Sequence, residues 1–114
     1  MDQIINDLNG KVVIDVDPGA CRLRSQVIGW MNDSGKLEVI ITSDCKFVQQ
    51  LGKILGQMEP MEVLHMPFSE NLVYAKGGGV LKHATCPVPL AILKCLEVAA
   101  GLGVKKDVHL TFRS

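Results

Sequence analysis

The stretch that most constrains this chain is residues 83–101, His-Ala-Thr-Cys-Pro-Val-Pro-Leu-Ala-Ile-Leu-Lys-Cys-Leu-Glu-Val-Ala-Ala-Gly. Pro87 and Pro89 suit the first turn of a helix, where a missing N–H is no loss and φ is already set. Thr85 is the expected N-cap, and Gly101 and Gly103 offer the left-handed geometry that ends a helix. Between these signals only Lys94 and Glu97 are charged, so the helix must be buried on most sides. A thiol at position 86 then lies where a buried helix begins, near the positive end of its dipole, which is expected to favour the thiolate.

A helix of that kind needs layers to cover it, and the chain has material for them. Its 114 residues, 47% hydrophobic, suffice for one domain spanning 1–114 with a core of its own. Aromatic content of 4% makes that core aliphatic. Lys11 to Asp17 alternates, with Val12, Ile14 and Val16 on one face, which predicts a strand. A second strand is expected over 22–31 and a third over 36–42, joined by the hairpin signal Asn32-Asp33-Ser34-Gly35. A helix follows, capped by Ser43 or Asp44, with Phe47, Val48, Leu51, Ile54, Leu55 and Met58 as its apolar positions. One or two helical turns are expected over 2–8, and a short turn around Glu62-Val63-Leu64. Gly77-Gly78-Gly79 reads as a flexible connection, since it lacks the strand-then-helix context of a phosphate loop. Val108, Leu110 and Phe112 alternate in a final segment expected to add an edge strand. The fold class is therefore α+β: a small antiparallel sheet of three to four strands packed against two main helices.

Charge and length exclude several functions. Twelve basic residues balance twelve acidic ones without a long run of one sign, so neither nucleic acid nor an anionic membrane is an expected partner. No apolar stretch reaches the roughly 18–20 residues needed to cross a bilayer. The acidic, amphipathic start Met1-Asp2-Gln3-Ile4 is unlike a signal peptide, so a cytoplasmic protein is the expectation.

The chemistry rests on the cysteines. Cys21, Cys45, Cys86 and Cys95 never pair as Cys-x-x-Cys, which excludes a zinc ribbon and a thioredoxin motif. Cys21 precedes a strand, while Cys45 and Cys86 each open a helix. Cys95 lies nine residues past Cys86, roughly 900° around the helix, and so faces the opposite side, in the core. Three loops that converge in thiols suit a soft metal, because thiolates select zinc, Cu(I) and iron–sulfur clusters. His83, three residues before Cys86, could add a fourth ligand or a proton acceptor. His65 and His109 have no such company, and His109 is expected to face solvent. The bland reading of each thiol is a small buried hydrophobe.

The order of these elements carries a resemblance. Pro18-Gly19-Ala20-Cys21, strand, Asn32-Asp33-Ser34-Gly35, strand, Cys45-helix, then Cys86-Pro87-Val88-Pro89-helix resembles the IscU/NifU-type iron–sulfur scaffold over roughly residues 18–102. A similar layout, with Cys-Pro opening the last helix, is that of the TSCPD domain. The chain as a whole also resembles a family of small proteins from anaerobes marked by Thr42-Ser43-Asp44-Cys45 and by His83 to Pro89. The scaffold resemblance implies Cys21, Cys45 and Cys86 as ligands, an iron–sulfur cluster or zinc as cofactor, and a cluster or sulfur donor or acceptor protein as partner. Two positions depart from it: Leu23 stands where the scaffolds carry aspartate, and Thr85 where they carry histidine. The cochaperone-binding motif before the third cysteine is missing, which argues against handover of a labile cluster while leaving three thiolates.

Three functions follow from these residues. The first is a metal- or iron–sulfur-binding protein, not an enzyme, using Cys21, Cys45 and Cys86 with His83 assisting. The second is a thiol or persulfide carrier with Cys86 as nucleophile. The third is an interaction module whose cysteines are core. The apolar helix 88–102 could also pack on a second copy as a homodimer.

Overall fold

The computed structural model describes residues 10–64 and 67–114. The helical turns expected over 2–8, and His65, lie outside them. Three strands, β1 (Val12–Val16), β2 (Ser25–Met31) and β3 (Leu37–Ser43), form an antiparallel meander in the order β1-β2-β3. Four α-helices complete the described residues: α1 (Lys46–Ile54), α2 (Pro60–Val63), α3 (Leu72–Val80) and α4 (Val88–Ala99), with a 3-10 turn at Phe68–Glu70. The chain is an α+β protein. No helix among the described residues is long and apolar enough to cross a membrane.

The alternation read from the sequence places the sheet correctly. Val16, Val27, Leu37 and Val39 are buried on one face, with Val12, Ile14 and Ile41 packed beside them. The β2–β3 hairpin turns where expected. Asn32 Oδ1 accepts from the N–H groups of Ser34 and Lys36, and Gly35 takes φ 78°, a left-handed value that suits glycine. The second strand starts three residues later than expected. Arg22 has φ 62° and closes a turn by donating its N–H to Gly19 O at 3.0 Å, so an extended strand cannot begin before it.

Helix α4 covers the buried face. Val88, Pro89, Ala91, Ile92, Cys95 and Leu96 turn inward, while Leu90 is left exposed. It ends as predicted: Gly101 has φ 76°, Leu102 N–H donates to Glu97 O and Gly101 N–H to Val98 O, the double bond of a Schellman turn. Close packing centres on Gly29, where a Cβ would stand 2.7 Å from Cys95 Sγ and 3.3 Å from Leu96 Cδ2. Gly29→Ala should therefore destabilise the fold by about 2 kcal/mol through overpacking. In urea titrations the penalty should shrink when Cys95→Ala is added, because the second change frees the space the first needs.

Four expectations are corrected. Gly77-Gly78-Gly79 is not a flexible connection but the second half of α3. Buried Asn71 starts that helix, its Oδ1 accepting from Val73 and Tyr74 N–H while its Nδ2 donates to Val63 O at 2.6 Å. Buried Gly77 packs against its neighbours: a Cβ there would meet Pro89 Cγ at 3.6 Å and Leu51 Cδ2 at 3.9 Å, ordinary contact distances. Packing and the cap offset a propensity cost of about 1 kcal/mol per glycine. The final segment, 107–113, is not a strand; it is exposed and pairs with nothing among the described residues. Ile54, expected on the apolar face of α1, is exposed because the helix ends there and the chain turns extended at Leu55, which is buried instead. Met58 lies beyond that helix and forms a β-bridge with Leu37.

Candidate functional site

Two of the candidate site residues, Cys21 and Cys45, share one end of the sheet, where three chain crossings meet. Val16 and Ser43 are both register partners of Ser25, so the exit of β1, the entry of β2 and the exit of β3 lie side by side. Cys21 sits in the turn between β1 and β2, and Cys45 follows β3 by two residues. This end is tied by short polar contacts. Ser25 Oγ donates to Ser43 Oγ at 2.8 Å, Asp44 N–H to Arg24 O at 3.0 Å, and Cys45 N–H to Ser43 Oγ at 3.0 Å. The last bond corrects the expected cap. Ser43 belongs to β3, and the N-cap of α1 is Cys45, extended at φ −94° and ψ 121°, with no side-chain cap bond.

Cys86 reaches the same place from α4. Thr85 is not the N-cap of that helix; Pro87 occupies the cap position without a side-chain bond. The helix start has few donors left to satisfy. Pro89 has no N–H to satisfy, and the Val88 N–H lies near enough to the Cys86 sulfur to lower its pKa. The preceding turn is closed by Cys86 N–H donating to His83 O at 3.2 Å. Lys82 and Lys46 approach the ring of Phe47 at 5.4 and 5.3 Å, which links the turn before Cys86 to the start of α1.

Cys86 is half-buried, and its thiol pKa is raised, chiefly by burial. The Val88 N–H opposes that shift, while the neighbouring Cys45 and Cys21 add to it, since a second or third thiolate nearby repels the first. The expected lowering at the helix mouth is thereby reversed: desolvation outweighs the one N–H directed at the sulfur. The same coupling brings Cys21, Cys45 and Cys86 into a single electrostatic neighbourhood. Cys21 is exposed, Cys45 half-buried and His83 exposed on its turn. Among the described residues no group of three or more His, Cys, Asp or Glu side chains is placed to hold a metal ion.

Cys95 is separate, as its place on the helix required. It is fully buried, donates to Val12 O at 3.3 Å, and burial raises its pKa to about 11. The sign is direct: the folded state holds this proton more tightly than the unfolded chain, so the contribution is complete below pH 9 and lost as pH rises toward 11. Thermal stability should fall across that window, with the Cys95-dependent part on the order of 2 kcal/mol. The fall should be shallower in Cys95→Ala, measured by calorimetry as a function of pH. His109 is exposed, as expected.

Sequence reasoning missed the left-handed Arg22 and the Ser43 hydroxyl that orients the Cys45 amide; a serine two residues before a candidate ligand was the available signal for the second. No curated protein and no solved structure matches the chain. A family model matches residues 12–112, which span all three strands, all four helices and the four cysteines. The chain belongs to that family, a family of unknown function designated DUF6951.

Proposed function

We propose that this protein is a small binding protein for zinc or an iron–sulfur species, held by Cys21, Cys45 and Cys86. The observation that supports the reading is the strand register, which sets the loops of Cys21 and Cys45 at one end of the sheet, with Cys86 near enough to feel both thiols. Three thiolates that repel one another are stabilised together by a cation, which reverses the sign of each mutual interaction. The donor set is soft and fits zinc or iron–sulfur chemistry. Cys21 lies in a turn bounded by left-handed Gly19 and Arg22, and Cys45 and Cys86 are anchored at helix starts, so closure of the site would fall to that turn. The resemblance to iron–sulfur scaffolds adds a reason to expect a cluster, supplied or taken by a donor or acceptor protein. His83 is the candidate fourth ligand. The raised pKa of Cys86 counts against the alternative of an activated thiol, which needs its thiolate at neutral pH.

An anaerobic cobalt(II) titration tests the reading. Thiolate-to-cobalt charge-transfer absorption should appear and saturate at one equivalent, vanish when Cys21, Cys45 and Cys86 are all serine, and survive Cys95→Ala. Equal absorption in the triple variant would sink it.

A further inference from the structure

Among the described residues the sheet has an unpaired edge, and residues 107–113 form a strand-like segment that stands in solvent. Among these residues β1 hydrogen-bonds only to β2, and nothing pairs with its outer edge. The outer edge of β3 is covered at its start, where Leu37 and Met58 exchange N–H···O bonds of 2.8 and 2.9 Å. Val12 and Ile14 on β1 are only partly buried against the core. Residues 107–113 alternate apolar and polar side chains, yet Leu110 is 92% exposed and Phe112 103%. Isolated exposed hydrophobics are ordinary, but an alternating set on an extended segment matches what an open edge accepts.

The two segments also match in sequence. Residues 11–17 read Lys-Val-Val-Ile-Asp-Val-Asp, and 107–113 read Asp-Val-His-Leu-Thr-Phe-Arg. Laid side by side in parallel, Val12, Ile14 and Val16 share a face with Val108, Leu110 and Phe112. Lys11 then meets Asp107 and Asp17 meets Arg113, an opposite-charge pair at each end. Laid antiparallel over the same span, Lys11 meets Arg113 and Asp17 meets Asp107, two like-charge pairs. Cross-strand charges favour the first arrangement and penalise the second.

We propose that residues 107–113 of one copy add to the sheet of a second copy as a fourth strand parallel to β1, and that the exchange is reciprocal, giving a two-fold homodimer. The occupant is a second copy because each chain holds its own segment off its own body, with Leu110 and Phe112 in solvent. Asp17 already pairs with Arg24 at 3.1 Å, and Lys11 lies 4.3 Å from the centre of the Trp30 ring; the incoming Arg113 and Asp107 complete these surface groups from the outer side. The thiol site plays no part in the contact.

Light scattering and sedimentation of the full chain, in reductant and chelator, should give the mass of a dimer. The double change Leu110→Asp and Phe112→Asp should give a monomer with unchanged far-ultraviolet circular dichroism. Lys11→Asp should weaken the dimer by roughly two- to thirtyfold, since the pair occurs twice in a reciprocal dimer, and Asp107→Lys added to it should restore the affinity. In a chain with Cys21, Cys45 and Cys86 changed to serine, Val13→Cys with His109→Cys should oxidise to a covalent dimer. A monomeric parent chain, a dimer that survives the double aspartate change, tightening by Asp107→Lys alone, or an intrachain Val13→Cys–His109→Cys crosslink would each overturn the proposal.

Discussion

Leu96→Ala is expected to lower the unfolding free energy by about 3–4 kcal/mol. Leu96 is fully buried on α4, and the layer it fills is shared with Gly29, whose Cβ position lies 3.3 Å from Leu96 Cδ2. The neighbours offer little to collapse into the space. Glycine has no side chain to swing inward, and Cys95 is already bonded to the β1 backbone through Val12 O. The transfer cost of the lost methyl groups is therefore joined by most of the cavity cost. For a domain of this size the loss is a large part of a total on the order of 10 kcal/mol. The melting temperature should drop by roughly 12–16 °C. Ile54→Ala serves as the contrast: its side chain is exposed at the end of α1, and its removal should change stability by about 0.5 kcal/mol or less. Chemical denaturation of the two variants beside the parent chain measures both.

The second large effect concerns the thiols. Cys86→Ser should weaken zinc binding by more than about 100-fold, beyond the 10- to 100-fold loss typical of a group that only supports a ligand. Cys86 should be the most sensitive of the three. It is the sulfur that both other thiols influence, and its backbone is held by its own N–H bond to His83 O. Cys95→Ala should leave the affinity unchanged, because that sulfur belongs to the packing between α4 and β1. Affinity should rise with pH through the neutral range. The Cys86 thiol of the metal-free protein is held protonated by burial, and binding must release that proton. Calorimetric titration in buffers of different ionisation enthalpy reads the released protons directly. His83→Ala separates a fourth ligand, which would cost about as much as a cysteine, from a bystander, which would cost little.

Much of this architecture was legible in the chain. The alternation at Val12, Ile14 and Val16 and at Leu37, Val39 and Ile41 describes half-buried strands, and burial follows it. The half-turn offset between Cys86 and Cys95 placed the second thiol in the core without any structure. Where the reading failed, a non-local contact had overridden a local preference. Three consecutive glycines argue for a loop, but Asn71 caps the helix that holds them through the N–H groups of Val73 and Tyr74, and that helix packs against α1 and α4. Alternation at Val108, Leu110 and Phe112 argues for a strand, but a strand also needs a partner edge, and among the described residues this segment pairs with none. The thiol site divides in the same way. Helix starts told where Cys45 and Cys86 would stand, whereas the balance between burial and the Val88 N–H at Cys86 depends on how deeply the sulfur is covered.

The most direct measurement of the central claim is metal, iron and acid-labile sulfide analysis of the protein isolated without exposure to air, beside the variant in which Cys21, Cys45 and Cys86 are serine. The account predicts a stoichiometric metal or iron–sulfide complement in the parent chain and none in the variant. Metal-free parent protein that also fails to take up zinc, or equal metal content in both, would contradict it.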